Sequence, residues 1–125
     1  ICSGSKNIAL KTCSIDYVIS HGTLDSMPTS DIHNSLDEIF RVMKFGSLGY
    51  ADLISDKVKR NGKFLNKYDQ LVNERHEKNT IQSYFNLGRI KKILKKFKII
   101  DIYRMDKIIN NKIIHARYSV IFKKI

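Results

Sequence analysis

The stretch Ile15-Asp-Tyr-Val-Ile-Ser-His-Gly-Thr-Leu-Asp-Ser-Met-Pro28 decides the fold. Ile15 to Ser20 is a short run of β-branched and aromatic residues that reads as a buried strand. It gives way at Ser20 to a polar loop, and Pro28-Thr29-Ser30-Asp31 then supplies a turn and helix N-cap candidates. A strand that spills into a loop just before a helix is where an open α/β sheet keeps its ligand site, because unpaired backbone groups are exposed there.

Working outward, Ile32, Leu36, Ile39, Phe40 and Met43 recur at helical spacing, which predicts an amphipathic helix over 31–44 with Gly46 placed to stop it. Residues 48–54 make a second strand, apolar enough for a sheet interior. Residues 55–80 read as irregular: 56–62 is loop-like and 64–72 fits no single period. Leu87, Ile90, Ile93, Leu94 and Phe97 share one face of a second helix from about 86 to 96, and lysines cover the other side. Residues 98–109 and 112–123 are two long strands joined at Asn110-Asn111, a dipeptide that tolerates the positive φ of a tight hairpin. Gly4-Ser5-Lys6-Asn7 suggests a turn in an otherwise polar N-terminal segment.

The chain has 125 residues, 42% of them hydrophobic, with six glycines and one proline. That is enough for one domain with a real core, and it excludes disordered and fibrous classes. No stretch approaches a membrane span, and Lys6 and Lys11 interrupt any secretory signal. Two cysteines, Cys2 and Cys13, make no disulfide framework and no C-x-x-C; they read as reduced, buried and inert, in a cytoplasmic setting. The formal charge is +11, with 17 lysines and six scattered arginines among the 23 basic residues. A field of that sign favours phosphates, anionic surfaces or nucleic acid, whereas heavy lysine, isoleucine and asparagine usage produces the same excess with no ligand at all. His76-Glu77-Lys78-Asn79-Thr80 begins like a zinc-protease motif but lacks the second histidine, and the four histidines show no metal spacing. No metal is expected.

The loop at Ser20-His21-Gly22 resembles the one after the fourth strand of class I S-adenosylmethionine-dependent methyltransferases. Asp37-Glu-Ile-Phe-Arg-Val-Met-Lys-Phe-Gly46 is similar to that family's D/E-I-x-R-V-L-K-P-G-G segment. The order strand, helix, strand, irregular segment, helix, strand, hairpin strand matches strands four to seven of the family's Rossmann-like sheet, whose full order is 3-2-1-4-5-7-6 with the last strand antiparallel. The resemblance implies a partial α/β methyltransferase sheet in the order 4-5-7-6 with flanking helices, residues 1–10 being the tail of strand three and its loop. The whole of 1–125 is then the C-terminal part of a single methyltransferase domain that lacks the glycine-rich motif. A chain beginning at Ile1 fits a truncated product, and strand 15–20 would present an apolar unpaired edge that favours self-association.

The same resemblance implies S-adenosyl-L-methionine as cofactor and supplies site residues. Ser20, His21 and Gly22 match positions beside the methionine part of the cofactor, and Ser5 stands where an aspartate commonly holds the adenine amino group. Leu24, Asp25 and Ser26 occupy the place of an L-H-H sequence. Asp25 serves either as a catalytic base or acceptor ligand, or caps the next helix from outside the site. His76, Gln82 and Tyr84 lie in the segment that closes over the acceptor in the family, which makes His76 a catalytic candidate and Gln82 and Tyr84 substrate-binding ones. A small-molecule acceptor is implied, and the isolated chain is expected to be inactive. Two other classes compete: a degenerate methyltransferase-like subunit, and a basic module that binds RNA or an anionic surface.

Overall fold

Residues 2–125 are described in a computed structural model; Ile1, the first residue of the expected third-strand tail, lies outside them. In chain order the elements are β1 (Ile15–Ser20), a single 3-10 turn (Leu24–Ser26), α1 (Thr29–Val42), β2 (Met43–Ile54), β3 (Gly62–Phe64), β4 (Asp69–Glu74), β5 (Glu77–Ser83), α2 (Leu87–Ile93), β6 (Lys98–Ile109) and β7 (Lys112–Lys123). The main sheet runs β1-β2-β7-β6, with β1 and β2 parallel and β7 antiparallel to both its neighbours. This is the expected 4-5-7-6 order with its antiparallel closing strand.

One face of the sheet carries Val18, Ala51, Leu53, Tyr118, Val120 and Phe122, and these meet Ile32, Leu36 and Ile39 of α1 and Ile90 of α2 in one apolar core. The ring of Phe97 meets Phe122 edge-on at 4.8 Å and Phe40 at 5.3 Å. Gly49 is required here, since a Cβ would stand 2.3 Å from the Phe122 ring. The opposite face is open: Tyr17, Ile19, Leu48, Tyr103 and Met105 are exposed. β1 is therefore not the buried strand its composition suggests. It is the unpaired sheet edge expected of a partial sheet, and its outer face is open, with Tyr17 73% and Ile19 76% exposed.

Other expectations shift for local reasons. α1 runs from Thr29 to Val42, two residues earlier at each end than its pattern implies, because the first amides beyond Pro28 already bond into the helix and into Asp69. Gly46 does not stop it. The Met43 amide still donates to the Ile39 carbonyl, the chain passes directly into β2, and Gly46 lies inside that strand at φ +86° with its amide on the Lys124 carbonyl. α2 ends at Ile93 rather than 96, and a turn closed by Phe97 N–H to Leu94 C=O follows. Residues 2–14 form turns and no strand, so no third-strand tail is found among the described residues. Cys2 is exposed and Cys13 half-buried, contrary to the buried pair expected.

The largest departure is 55–80. It is not irregular: β3, β4 and β5 form a separate three-stranded antiparallel sheet. Its interior is mostly polar, with Asp69, Gln70, Gln82 and Ser83 buried and bonded beside the buried Val72, so it leaves no alternating apolar signal.

Candidate functional site

The C-terminal ends of β1 and β2 lie side by side in the parallel register Ser20 to Ala51, so the loop after β1 falls across the end of β2. Two sequence features shape this loop. Gly22 adopts φ +61°, the left-handed region that favours glycine, with no atom within 4 Å of where a Cβ would stand. Its amide then points at β2 and donates to Asp52 Oδ1 at 2.8 Å.

Asp52 is the hub. It is one residue after Ala51 and faces the open side of the sheet, opposite Ser119 of β7. Its Oδ2 contacts His21 Nδ1, and its Oδ1 also accepts from Arg117 Nη2 at 3.0 Å. The same Arg117 nitrogen reaches Asp25 Oδ2 at 2.8 Å, and that oxygen also accepts the Ile54 amide at 2.8 Å. One guanidinium thus holds two buried carboxylates, one from the 3-10 turn and one from β2. Burial works against the charged form of Asp52, but the Gly22 amide, Arg117 and His21 outweigh it and hold its carboxyl below the usual range. At Asp25 burial wins over Arg117 and the Ile54 amide, and its pKa is raised. Two neighbouring carboxyls are pushed apart: Asp52 stays ionised at neutral pH, and Asp25 is the one that more readily takes a proton.

The expected site residues separate into three groups. Ser20, His21, Gly22 and Asp25 come together at the ends of β1 and β2. Ser20 is buried and its hydroxyl has no partner, while His21 stands in solvent with its ring tied to Asp52. Asp25 neither caps α1 nor stands free; it is 2% exposed, and its carboxylate accepts from Arg117, the Ile54 amide and the Ser26 hydroxyl. Gln82 joins this group from behind, donating through Nε2 to the Asp25 carbonyl at 2.8 Å. Ser5 sits apart, its hydroxyl sharing a 2.9 Å bond with Ser35 of α1. Tyr84 and His76 belong to the small sheet. Tyr84 is buried, with its hydroxyl donating to Gln70 Oε1 at 2.6 Å and accepting the Arg60 amide at 2.8 Å, which leaves it nothing to offer a ligand. His76 is exposed in the two-residue turn between β4 and β5.

Sequence reasoning missed Asp52 and Arg117. A lone carboxylate inside Tyr50-Ala-Asp-Leu-Ile and a lone arginine in Ala116-Arg-Tyr-Ser-Val were the available signals, since an isolated charge in an apolar strand needs a partner of opposite sign. Both residues wall a cavity of about 310 Å³ on the open face, with Tyr50, Met105, Lys107 and His115. A second cavity of about 430 Å³ lies over the end of β2, where Arg117 and His115 meet Arg60, Glu74 and Gln82. A further network fastens the elements behind the site. Asp69 accepts from the Thr29 amide, the Thr29 and Ser83 hydroxyls and Asn66, and these bonds hold its carboxyl below the usual range against its burial. Arg89 of α2 donates to Ser83, the Tyr84 carbonyl and Thr29. Among the described residues, no group of three or more His, Cys, Asp or Glu side chains is arranged to hold a metal ion.

No family model and no curated protein matches this sequence. Solved structures do match in three dimensions. A SAM-dependent methyltransferase from Methanosarcina mazei superposes with a TM-score of 0.79 at 16% identity, covering 98% of this chain and 65% of its own. The 1,6-didemethyltoxoflavin-N1-methyltransferase of Burkholderia thailandensis, solved with 1,6-didemethyltoxoflavin and S-adenosylhomocysteine bound, gives 0.71 at 10% identity and covers 99% of this chain and 49% of its own. The cyclase SpnF gives 0.66 at 13% identity over 99% of this chain and 56% of its own. The chain thus spans about half to two thirds of the length of these proteins. The fold is that of class I SAM-dependent methyltransferases, and the cyclase makes plain that the fold hosts more than one chemistry.

Proposed function

We propose that this chain is the C-terminal portion of a methyltransferase domain that uses S-adenosyl-L-methionine to methylate a small molecule. The observation that carries this reading is the loop Ser20–Gly22, set at the C-terminal end of β1 in a sheet of methyltransferase order. What the residues offer fits part of such a cofactor. Ser20 has a buried hydroxyl without a partner, and the positive φ at Gly22 leaves open space beside the backbone. A polar tail approaching the loop would give the Ser20 hydroxyl the partner it lacks. Ser5 contributes only if it exchanges its bond to Ser35. When bound, the cofactor supplies an electrophilic methyl group on a cationic sulfur. The chain's residues supply position, which in such a transfer does most of the work.

The open sheet face supports the word portion. Tyr17, Ile19, Leu48, Tyr103 and Met105 are exposed on one face, an apolar area that a complete α/β sheet covers with helices. In isolation the same face and the free β1 edge favour self-association. No helix among the described residues is long and apolar enough to cross a membrane.

Titration calorimetry with S-adenosylhomocysteine tests the reading. The 125-residue chain should bind it in the millimolar range or not detectably, and the same chain joined to upstream sequence that completes the sheet should bind in the micromolar range. Micromolar binding by the short chain refutes the division of the site, and no binding by the extended one refutes the cofactor.

A further inference from the structure

We infer that His21, oriented by Asp52, is a general base that takes the proton of an acceptor methylated at a hydroxyl or N–H group. The inference deepens the methyltransferase reading and rests on it for the identity of the reaction. Its geometric basis is independent of the cofactor. The His21 side chain is 82% exposed while Asp52, which it contacts through Nδ1, is 6% exposed. An exposed imidazole anchored at one nitrogen on a buried carboxylate presents its other nitrogen, Nε2, outward.

The tautomer follows from the partners. Asp52 Oδ1 is taken by the Gly22 amide at 2.8 Å and by Arg117 at 3.0 Å, which leaves Oδ2 for His21. An ionised carboxylate only accepts, so the neutral imidazole must carry its proton on Nδ1, and Nε2 is left with a free lone pair. The charged groups around the pair are Asp52 on β2, Arg117 on β7 and Asp25 on the 3-10 turn. Arg117 neutralises one of the two carboxylates, so the cluster carries a net negative charge whenever both are ionised.

The step balances. As the acceptor's oxygen or nitrogen forms its bond to the methyl carbon, the carbon–sulfur bond breaks with its electron pair left on sulfur, and the acceptor's proton passes to His21 Nε2. Asp52 stabilises the resulting imidazolium and is a positioning residue. Acceptors that react as thiolates or carbanions need no such base, so the arrangement points to protic oxygen or nitrogen. Asp25 is set aside as the base because its carboxylate is 2% exposed and taken up by the Ile54 amide, Arg117 and the Ser26 hydroxyl.

The test is the tautomer of His21, read by two-bond nitrogen–proton correlation on the 15N-labelled chain at mildly alkaline pH. Wild type should show Nδ1–H. In Asp52→Asn the oxygen must stay with the Gly22 amide and Arg117, both donors, so the amide nitrogen faces His21 and forces the proton to Nε2. A switch from Nδ1–H to Nε2–H supports the pair; an Nε2–H tautomer in wild type, or the same tautomer in both, overturns it. A second probe, 4-nitrophenyl acetate, reads the free lone pair. His21→Gln should remove most of the imidazole-driven ester hydrolysis, and His115→Gln only a minor share; equal losses overturn the assignment. Neither result depends on S-adenosylhomocysteine binding, so failure of the base and failure of the cofactor reading are separately visible.

Discussion

Replacing Arg117 by methionine removes the charge that holds Asp25 and Asp52 together while keeping much of the aliphatic volume. Both carboxylates are buried, and a single guanidinium nitrogen serves them at 2.8 and 3.0 Å. Breaking a buried pair by removing one partner costs about 3–5 kcal/mol. Arg117 is 27% exposed and Asp52 keeps the Gly22 amide, so the lower end, about 3 kcal/mol at about pH 7, is expected. The variant's deficit should depend on pH with a definite sign. Burial already raises the Asp25 pKa, and losing Arg117 raises it further. A carboxyl whose folded pKa lies above its unfolded value stabilises the fold below the unfolded pKa and loses that contribution as pH rises towards the folded pKa. The gap between Arg117→Met and wild type should therefore narrow by roughly 1–2 kcal/mol between about pH 7 and about pH 5, since one proton is worth about 1.4 kcal/mol per pH unit. Urea denaturation at the two pH values measures it, and the midpoint shift at neutral pH should be about 1–2 M. A deficit under about 1 kcal/mol, or one that does not change with pH, would refute the account of the cluster.

Gly49→Ala should cost about 1–3 kcal/mol by thermal melting, because the new methyl stands 2.3 Å from the Phe122 ring in the centre of the core; an unchanged melt means the ring has room to move. Ile19→Lys places a charge on the exposed edge strand and should leave stability within about 0.5 kcal/mol. Sedimentation velocity should show concentration-dependent association in the parent and a monomer in the variant, and identical profiles count against the β1 edge as the contact.

What the sequence revealed depended on how each element earns its stability. The β6–β7 hairpin was legible to the residue because two long strands meet at Asn110 and Asn111, whose φ of 52° and 61° suit a tight turn. α1 was legible because its apolar stripe is continuous, although its ends were not, since Asp69, forty residues downstream, bonds the first turn. The small sheet was hard to read because most of its buried side chains, Val72 apart, are polar and hydrogen-bonded, so its strands carry no period-2 apolar pattern. The unpaired edge at β1 was anticipated, but the exposure of its outer face was hidden for the opposite reason. Its residues are apolar, and apolar residues read as buried whether or not anything covers them. The site followed the same division. The position of Ser20, His21 and Gly22 at the end of a strand was legible, whereas Asp52 and Arg117 lie sixty-five residues apart and meet only because β2 pairs with β7.

The bonds from the small sheet to the segment after β1 have a mechanical meaning. Gln82 grips the Asp25 carbonyl, and Asp69 grips the amide and hydroxyl of Thr29. The stretch between is therefore clamped at both ends to neighbouring strands of one sheet, as a strap is riveted to a plate. It cannot lift without carrying the plate along, nor can the plate tilt without pulling on the loop beside His21. Gln70 and Tyr84, bonded to each other inside the small sheet, thereby help set the stiffness of the support beneath that loop.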